Sequence, residues 1–157
     1  MIKKITLLVF ILLPFNAFGL IKVDITRGNL DPLPLAVSPL AIDNESKTKF
    51  DKILNKKDIG SEISMIVEKN LKTSGLFNPL NREAFLQKPD IANLKPRFED
   101  WKLIKAQALI TGKVNYVDEK LRVEFRLWDI LAGREMMALA FTTVPTNWRR
   151  VGHIISD

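Results

Sequence analysis

The sequence predicts an α/β domain behind a signal peptide. Three observations carry that reading: a basic start followed by a short apolar run, one stretch of helical periodicity near the middle, and a series of alternating extended segments in the second half.

Met1-Ile2-Lys3-Lys4 supplies the basic start, and Ile5 to Leu13 is apolar throughout except for Thr6. Pro14 and Asn16 end the run, and Ala17-Phe18-Gly19 places small side chains where a signal peptidase reads them, so cleavage is expected between Gly19 and Leu20. A membrane-spanning helix needs roughly 20 apolar residues, about twice what is present. The expected organisation is therefore a signal peptide at 1–19 and one exported domain at 20–157, a length that can bury a substantial core. The chain has no cysteine, which rules out disulfides and thiolate chemistry, and a single histidine. Its net charge of +6 includes Lys3 and Lys4, which leave with the signal peptide. The modest basic balance that remains concerns solubility and attraction to anionic surfaces and does not specify nucleic acid as a partner.

In the mature chain, Ile21, Val23 and Ile25 alternate with Lys22, Asp24 and Thr26, the period of a half-buried strand, and Gly28-Asn29 closes it. Prolines 32, 34 and 39 bracket a second short strand around Leu35-Ala36-Val37. Residues 43–57 carry five lysines and read as a solvated, partly helical surface loop. Asp58 is placed to cap a helix reaching Ser74, with Ile59, Ile63, Ile66, Val67 and Leu71 on one stripe and Gly75 as its left-handed terminator. A connector punctuated by Pro89 and Pro96 follows, then a short helix docking through Phe98, Trp101, Leu103 and Ile104. Residues 108–117 read as a strand, Asp118-Glu119-Lys120 as a turn, 121–129 as an amphipathic strand, and 134–144 as its hairpin partner across Ala132-Gly133. Pro145-Thr146-Asn147 opens a last helix through Trp148, Val151, Ile154 and Ile155; its lack of a C-cap predicts a helix cut short, in a chain that continues.

No catalytic, cofactor or metal-binding set is expected. His153, Ser156 and Asp157 would share one helical face, whereas a triad needs the serine and the carboxylate on opposite sides of the imidazole. One histidine without cysteine does not make a zinc site. Trp101, Trp128 and Trp148 are expected to pack rather than stack on a ligand.

Several motifs together resemble the amino-terminal domain of the TolB family. They are Ile25-Thr26-Arg27-Gly28, the segment Pro34 to Pro39, Asp58-Ile59-Gly60, the run Leu71 to Asn81, Trp101, Ile110-Thr111-Gly112-Lys113-Val114, Arg126-Leu127-Trp128-Asp129 and Gly152-His153, in that order. The resemblance implies a mixed β-sheet with two main helices packed on it, in a periplasmic, non-enzymatic adaptor of the Tol-Pal system with peripheral envelope association. It also implies that the mature N-terminus docks onto TolA, which maps onto Leu20, Ile21, Lys22, Val23, Asp24, Ile25, Thr26, Arg27, Gly28, Asn29, Leu30 and Asp31. The family's contact with Pal is made by a C-terminal β-propeller; the repeats of about 40 residues that blades require are not found in these 157 residues, so Pal is assigned to no residue here. Competing readings from the residues themselves are a small periplasmic hydrolase centred on His153 and an anionic-surface binder using the lysines of 43–57.

Overall fold

A computed structural model of the protein describes residues 31–55 and 58–157. The expected strand at 21–26 and the cleavage point lie outside the described residues. Strand β1 (Leu33–Val37) and the two-residue β2 (Ala41–Ile42) precede helices α1 (Asn44–Leu54) and α2 (Ile59–Thr73). After β3 (Phe77–Pro79) come α3 (Pro89–Leu94) and α4 (Phe98–Leu103), then β4 (Ala108–Val117), β5 (Lys120–Asp129), β6 (Arg134–Thr143) and α5 (Trp148–Ser156). The sheet order is β3-β1-β4-β5-β6, with β2 also on β4. Pairings among β1, β2, β3 and β4 are parallel, and the β4-β5-β6 meander is antiparallel. The expected mixed α/β sheet is present.

Helices α1, α2 and α5 cover one face of the sheet. Phe50, Ile59, Ile63, Trp148 and Val151 pack on Val114, Leu121 and Val123, and Val67 and Leu71 continue over Leu35, Val37 and Ile110. On the opposite face, Trp101 of α4 and Ala106 pack on Ala36, Leu109, Trp128 and Ile130, with Phe85 and Phe98 at the margin. There the Trp128 indole N–H donates to Thr111 Oγ1 at 2.8 Å, which lets a polar edge be buried without loss.

Helix α2 forms where its periodicity places it: the Asp58 carboxylate accepts from the Ser61 amide at 3.0 Å, and Gly75 takes the left-handed conformation with φ 73°. Phe77 folds back towards Leu71, whereas Leu76 stays exposed. The turn at Asp118-Glu119 has positive φ at both positions, as a tight two-residue hairpin requires to follow the right-handed strand twist.

Three readings of the sequence are corrected. Residues 44–54 form a regular helix instead of a partly helical surface loop. Its Asp43 cap accepts from the Ser46 amide at 2.7 Å, and Phe50 is fully buried; the lysines lie on the outer face and obscure an inner one. The connector after Asn78 is also more ordered than its prolines imply. Phe77–Pro79 pairs with β1 as an edge strand, where the missing Pro79 N–H is tolerated, and Pro89 begins α3 at the one helical turn that does not need its amide. Finally, Leu103 does not dock with the aromatics of its helix but faces solvent.

Two substitutions test this packing. Phe50→Ala should cost about 3–5 kcal/mol in urea unfolding, as removal of a buried aromatic does; a change of a few tenths would return α1 to the surface. Helices α2 and α5 meet at Gly152, where a Cβ would stand 3.0 Å from Ile66 Cβ and Cγ2. Gly152→Ala should be near neutral, since helix propensity offsets the contact, whereas Gly152→Val should lose about 1–3 kcal/mol to overpacking.

Candidate functional site

Of the residues expected to dock a partner, Asp31 is described and exposed; Leu20 to Leu30, and with them the Gly19-Leu20 cleavage point, lie outside the described residues. The strand that Asp31 leads into is held on both sides. The Leu33 amide donates to Leu76 O at 2.9 Å, Leu35 O accepts from the Leu80 amide at 2.9 Å, and Pro34 O accepts from the Gln107 amide at 2.9 Å. Leu35, Ala36 and Val37 are all buried, so β1 is fixed in the core as well as in the sheet.

His153 sits on the exposed side of α5, with its Nδ1 2.9 Å from Asn70 Nδ2. The Ser156 hydroxyl is not directed at the imidazole. It accepts from Asn70 Nδ2 at 2.7 Å and donates to the His153 carbonyl at 2.8 Å. These bonds join α2 to α5, the structural role expected of the histidine. The tryptophans are likewise packing groups: Trp101, Trp128 and Trp148 are all buried, Trp101 against Phe85 with ring centroids 5.0 Å apart.

An open cleft of about 490 Å³ lies at the β2 end of the sheet and includes Asp43, Lys47, Asp58, Asp90, Lys113 and Asn115 in its lining. Two of its three carboxylates are committed to helix termini. Asp43 accepts from the Ser46 amide and hydroxyl, each at 2.7 Å, and the same hydroxyl accepts from the Tyr116 amide at 2.9 Å, linking the start of α1 to the end of β4. The Ser46 amide and then its hydroxyl hold the Asp43 carboxyl below the usual aspartate range. Asp58 caps α2 in the same way, accepting from the Ser61 amide at 3.0 Å and its hydroxyl at 2.8 Å.

The outer faces of β4, β5 and β6 carry a ladder of opposite charges. Glu124 lies 3.0 Å from Arg122 and 3.4 Å from Lys113, and Glu135 lies 3.3 Å from Arg126. Burial is the strongest single influence on Glu124 and pushes its carboxyl up, but the hydrogen bonds and charges of Arg122 and Lys113 together outweigh it and the net direction is down. Among the described residues no group of three or more His, Cys, Asp or Glu side chains is arranged to hold a metal ion, and no helix is long and apolar enough to cross a membrane.

Sequence reasoning overlooked two features of this surface, the cap network at Ser46 and an exposed groove between β6 and α5 that contains Arg150. An Asp-x-x-Ser spacing at Asp43 was the available signal for the first. For the second the signal was an alternating strand in which neither set of side chains was distinctly more polar.

The fold is thus that of a mixed-sheet α/β domain in which Asp31 leads directly into the buried strand β1. The TolB amino-terminal domain family matches residues 21–136. The Tol-Pal system protein TolB of Pelagibacter ubique (strain HTCC1062) is 73% identical over 157 residues, covering 100% of this chain and 35% of that protein. Among solved structures, TolB from Acinetobacter baumannii superposes with a TM-score of 0.61 at 18% identity, over 80% of this chain and 27% of that one. A dodecameric PelC variant from Paraburkholderia phytofirmans gives 0.52 at 16% identity, over 80% and 87%. These two show a shared fold. The chain belongs to the TolB amino-terminal domain family, as its motifs imply, and it spans about a third of the length of its Pelagibacter relative.

The cap network gives a pH-dependent prediction. A carboxyl held below its ordinary value stabilises the fold above that value, and the contribution disappears as pH falls through the lowered one. Asp43→Ala should therefore cost about 1 kcal/mol near neutrality, as loss of an N-cap does. The gap between the urea midpoints of the two proteins should close as pH falls below the ordinary aspartate range and through the lowered value; a gap that stays constant would remove the carboxylate from the account.

Proposed function

We propose that this chain is a periplasmic adaptor domain of the Tol-Pal envelope system, docking onto TolA through Leu20 to Asp31 and acting without catalysis. Its role is to support outer-membrane integrity and the invagination of the envelope during division. The observation that carries the reading is the family match, together with 73% identity to a Tol-Pal system TolB along the whole chain.

The physical case rests on the arm and its root. Ile21, Val23 and Ile25 alternate with polar residues, so an extended arm presents one apolar edge and a full set of backbone donors and acceptors to the rim of a partner's sheet. Ordering a free arm costs conformational entropy at the moment of binding, which suits reversible rather than permanent attachment. The paired and buried β1 confines that cost to the arm itself. Signal-peptide removal after Gly19 would create the free end at Leu20, making export and docking competence consequences of one cleavage. A contact with Pal belongs, on this reading, to a part of the protein beyond these residues.

The mature chain should be retained by the immobilised C-terminal domain of TolA, and deletion of Leu20 to Asp31 should abolish retention without altering the circular dichroism of the domain. Undiminished retention of the deleted protein would sink the assigned segment. N-terminal sequencing of the exported protein should begin at Leu20.

A further inference from the structure

Strand β6 is the outer strand of the meander, ten residues long and exposed for most of its length. From Met136 to Thr143 it contains no charged residue and no proline. Edge strands of this kind invite pairing with another chain and are usually blunted by lysine, proline or a bulge. Here the blunting sits at one end: Arg134 and Glu135 begin the strand, and the β5-β6 register shifts opposite Leu127 and Trp128, leaving Met136 as the extra residue. From Met137 onward the register with β5 is regular, and among the described residues no strand pairs with the outer edge.

Beside that open end, β6 and α5 enclose a groove of about 200 Å³ that includes Phe141, Thr143, Asn147, Arg150, Val151 and Ile154. Phe141 is fixed by stacking on Phe125, with ring centroids 6.1 Å apart. Leu139 is 47% and Ile154 41% exposed, extending the apolar floor to the surface. Arg150 stands in the first turn of α5, where the helix dipole disfavours a cation, and no carboxylate lines the groove.

We propose that the β6-α5 groove is a strand-addition site for an extended apolar peptide segment carrying a carboxylate. The backbone of the segment pairs with the edge of β6, its alternate apolar side chains lie over Phe141, Val151 and Ile154, and its carboxylate meets Arg150. A second copy of β6 fits less well. Its strand carries one carboxylate, Glu135, already paired with Arg126, so self-pairing would leave Arg150 without a counter-charge. The proposal is independent of docking to TolA, which uses the opposite end of the sequence.

The test uses the full mature chain and a blocked ten-residue peptide of alternating valine and threonine with two glutamates replacing threonines, compared with the same peptide bearing lysines. Saturable binding of the glutamate peptide, with slowed amide exchange confined to β6 and its neighbours, is expected. Arg150→Glu should weaken it by about tenfold or more and transfer the preference to the lysine peptide, a reversal that a merely unfolded variant would not give. The proposal is overturned by absence of binding at millimolar peptide, by binding indifferent to peptide charge, or by protection elsewhere. It is equally overturned if the β6 amides that face away from β5 are protected without peptide, whether that protection grows with protein concentration, indicating a second copy, or vanishes on removing Leu20 to Leu30, indicating a segment of the same chain.

Discussion

Strand β4 carries three pairings at once, and the rest of the fold is arranged around that demand. Along one edge it holds β1 at residues 108–110 and β2 at 113–114; along the other it holds the full length of β5. Between its two parallel partners the chain must step aside, and Ser38-Pro39-Leu40 makes the step, with the Ser38 amide still donating to Ile110 O at 3.0 Å. Leu40 then drops onto β4 at Gly112, where a Cβ would fall on the Glu124 carbonyl oxygen and stand 3.0 Å from Leu40 Cδ2. A side chain there would force β5 away or lift the β1-β2 step. Gly60 answers the same crowding from the other side, since a Cβ at that position would meet the Leu40 carbonyl oxygen. The start of α2 is thereby pressed against the step, and α2 in turn sets the position of α5 through Gly152.

This arrangement explains which parts of the structure could be read from the sequence. Helix α2 and strand β5 each bury one clear set of side chains, so period and burial agree: Ile59, Ile63 and Val67 on one element, Leu121, Val123 and Phe125 on the other. Helix α1 fails that criterion because Phe50 is its one fully buried large side chain, and Ile53, which belongs to the apolar pattern, is 47% exposed. Lysines fill the remaining positions and the pattern resembles a solvated loop. Strand β3 has three residues, too few for any period, and exists because β1 offers a free edge beside the exit of α2. Strand β6 is the converse case. Its alternation predicts a strand correctly, but Met136, Ala138, Ala140 and Thr142 are all exposed, so the pattern carries no information about a buried face.

The functional surface was legible to a different degree. The tryptophans were legible as packing groups from their positions and size, and Trp101, Trp128 and Trp148 are buried, with the Trp128 indole bonded to Thr111. Family membership was legible through the order of individually weak motifs. The edge groove was not, because it depends on two elements that meet only after folding: the regular part of β6, and a helix whose first turn places Arg150 beside it. No linear pattern joins Phe141 to Ile154 across the prolyl turn at 145.

The two halves of the sheet are suited to different work. The parallel half roots β1 between β3 and β4, where its hydrogen bonds and buried side chains resist displacement. The antiparallel half ends in a strand bonded on one side only, whose irregularity and charges are confined to the Arg134 end. A strand paired on both sides is closed to further partners, whereas an edge that is to accept a strand needs a preformed surface. The same constraint at Gly112 serves both, because close approach of β4 and β5 fixes the meander while the Leu40 step fixes β1 and β2. Loosening it would cost the root and the edge together, so these two properties of the domain should fail in concert even though they lie on different strands.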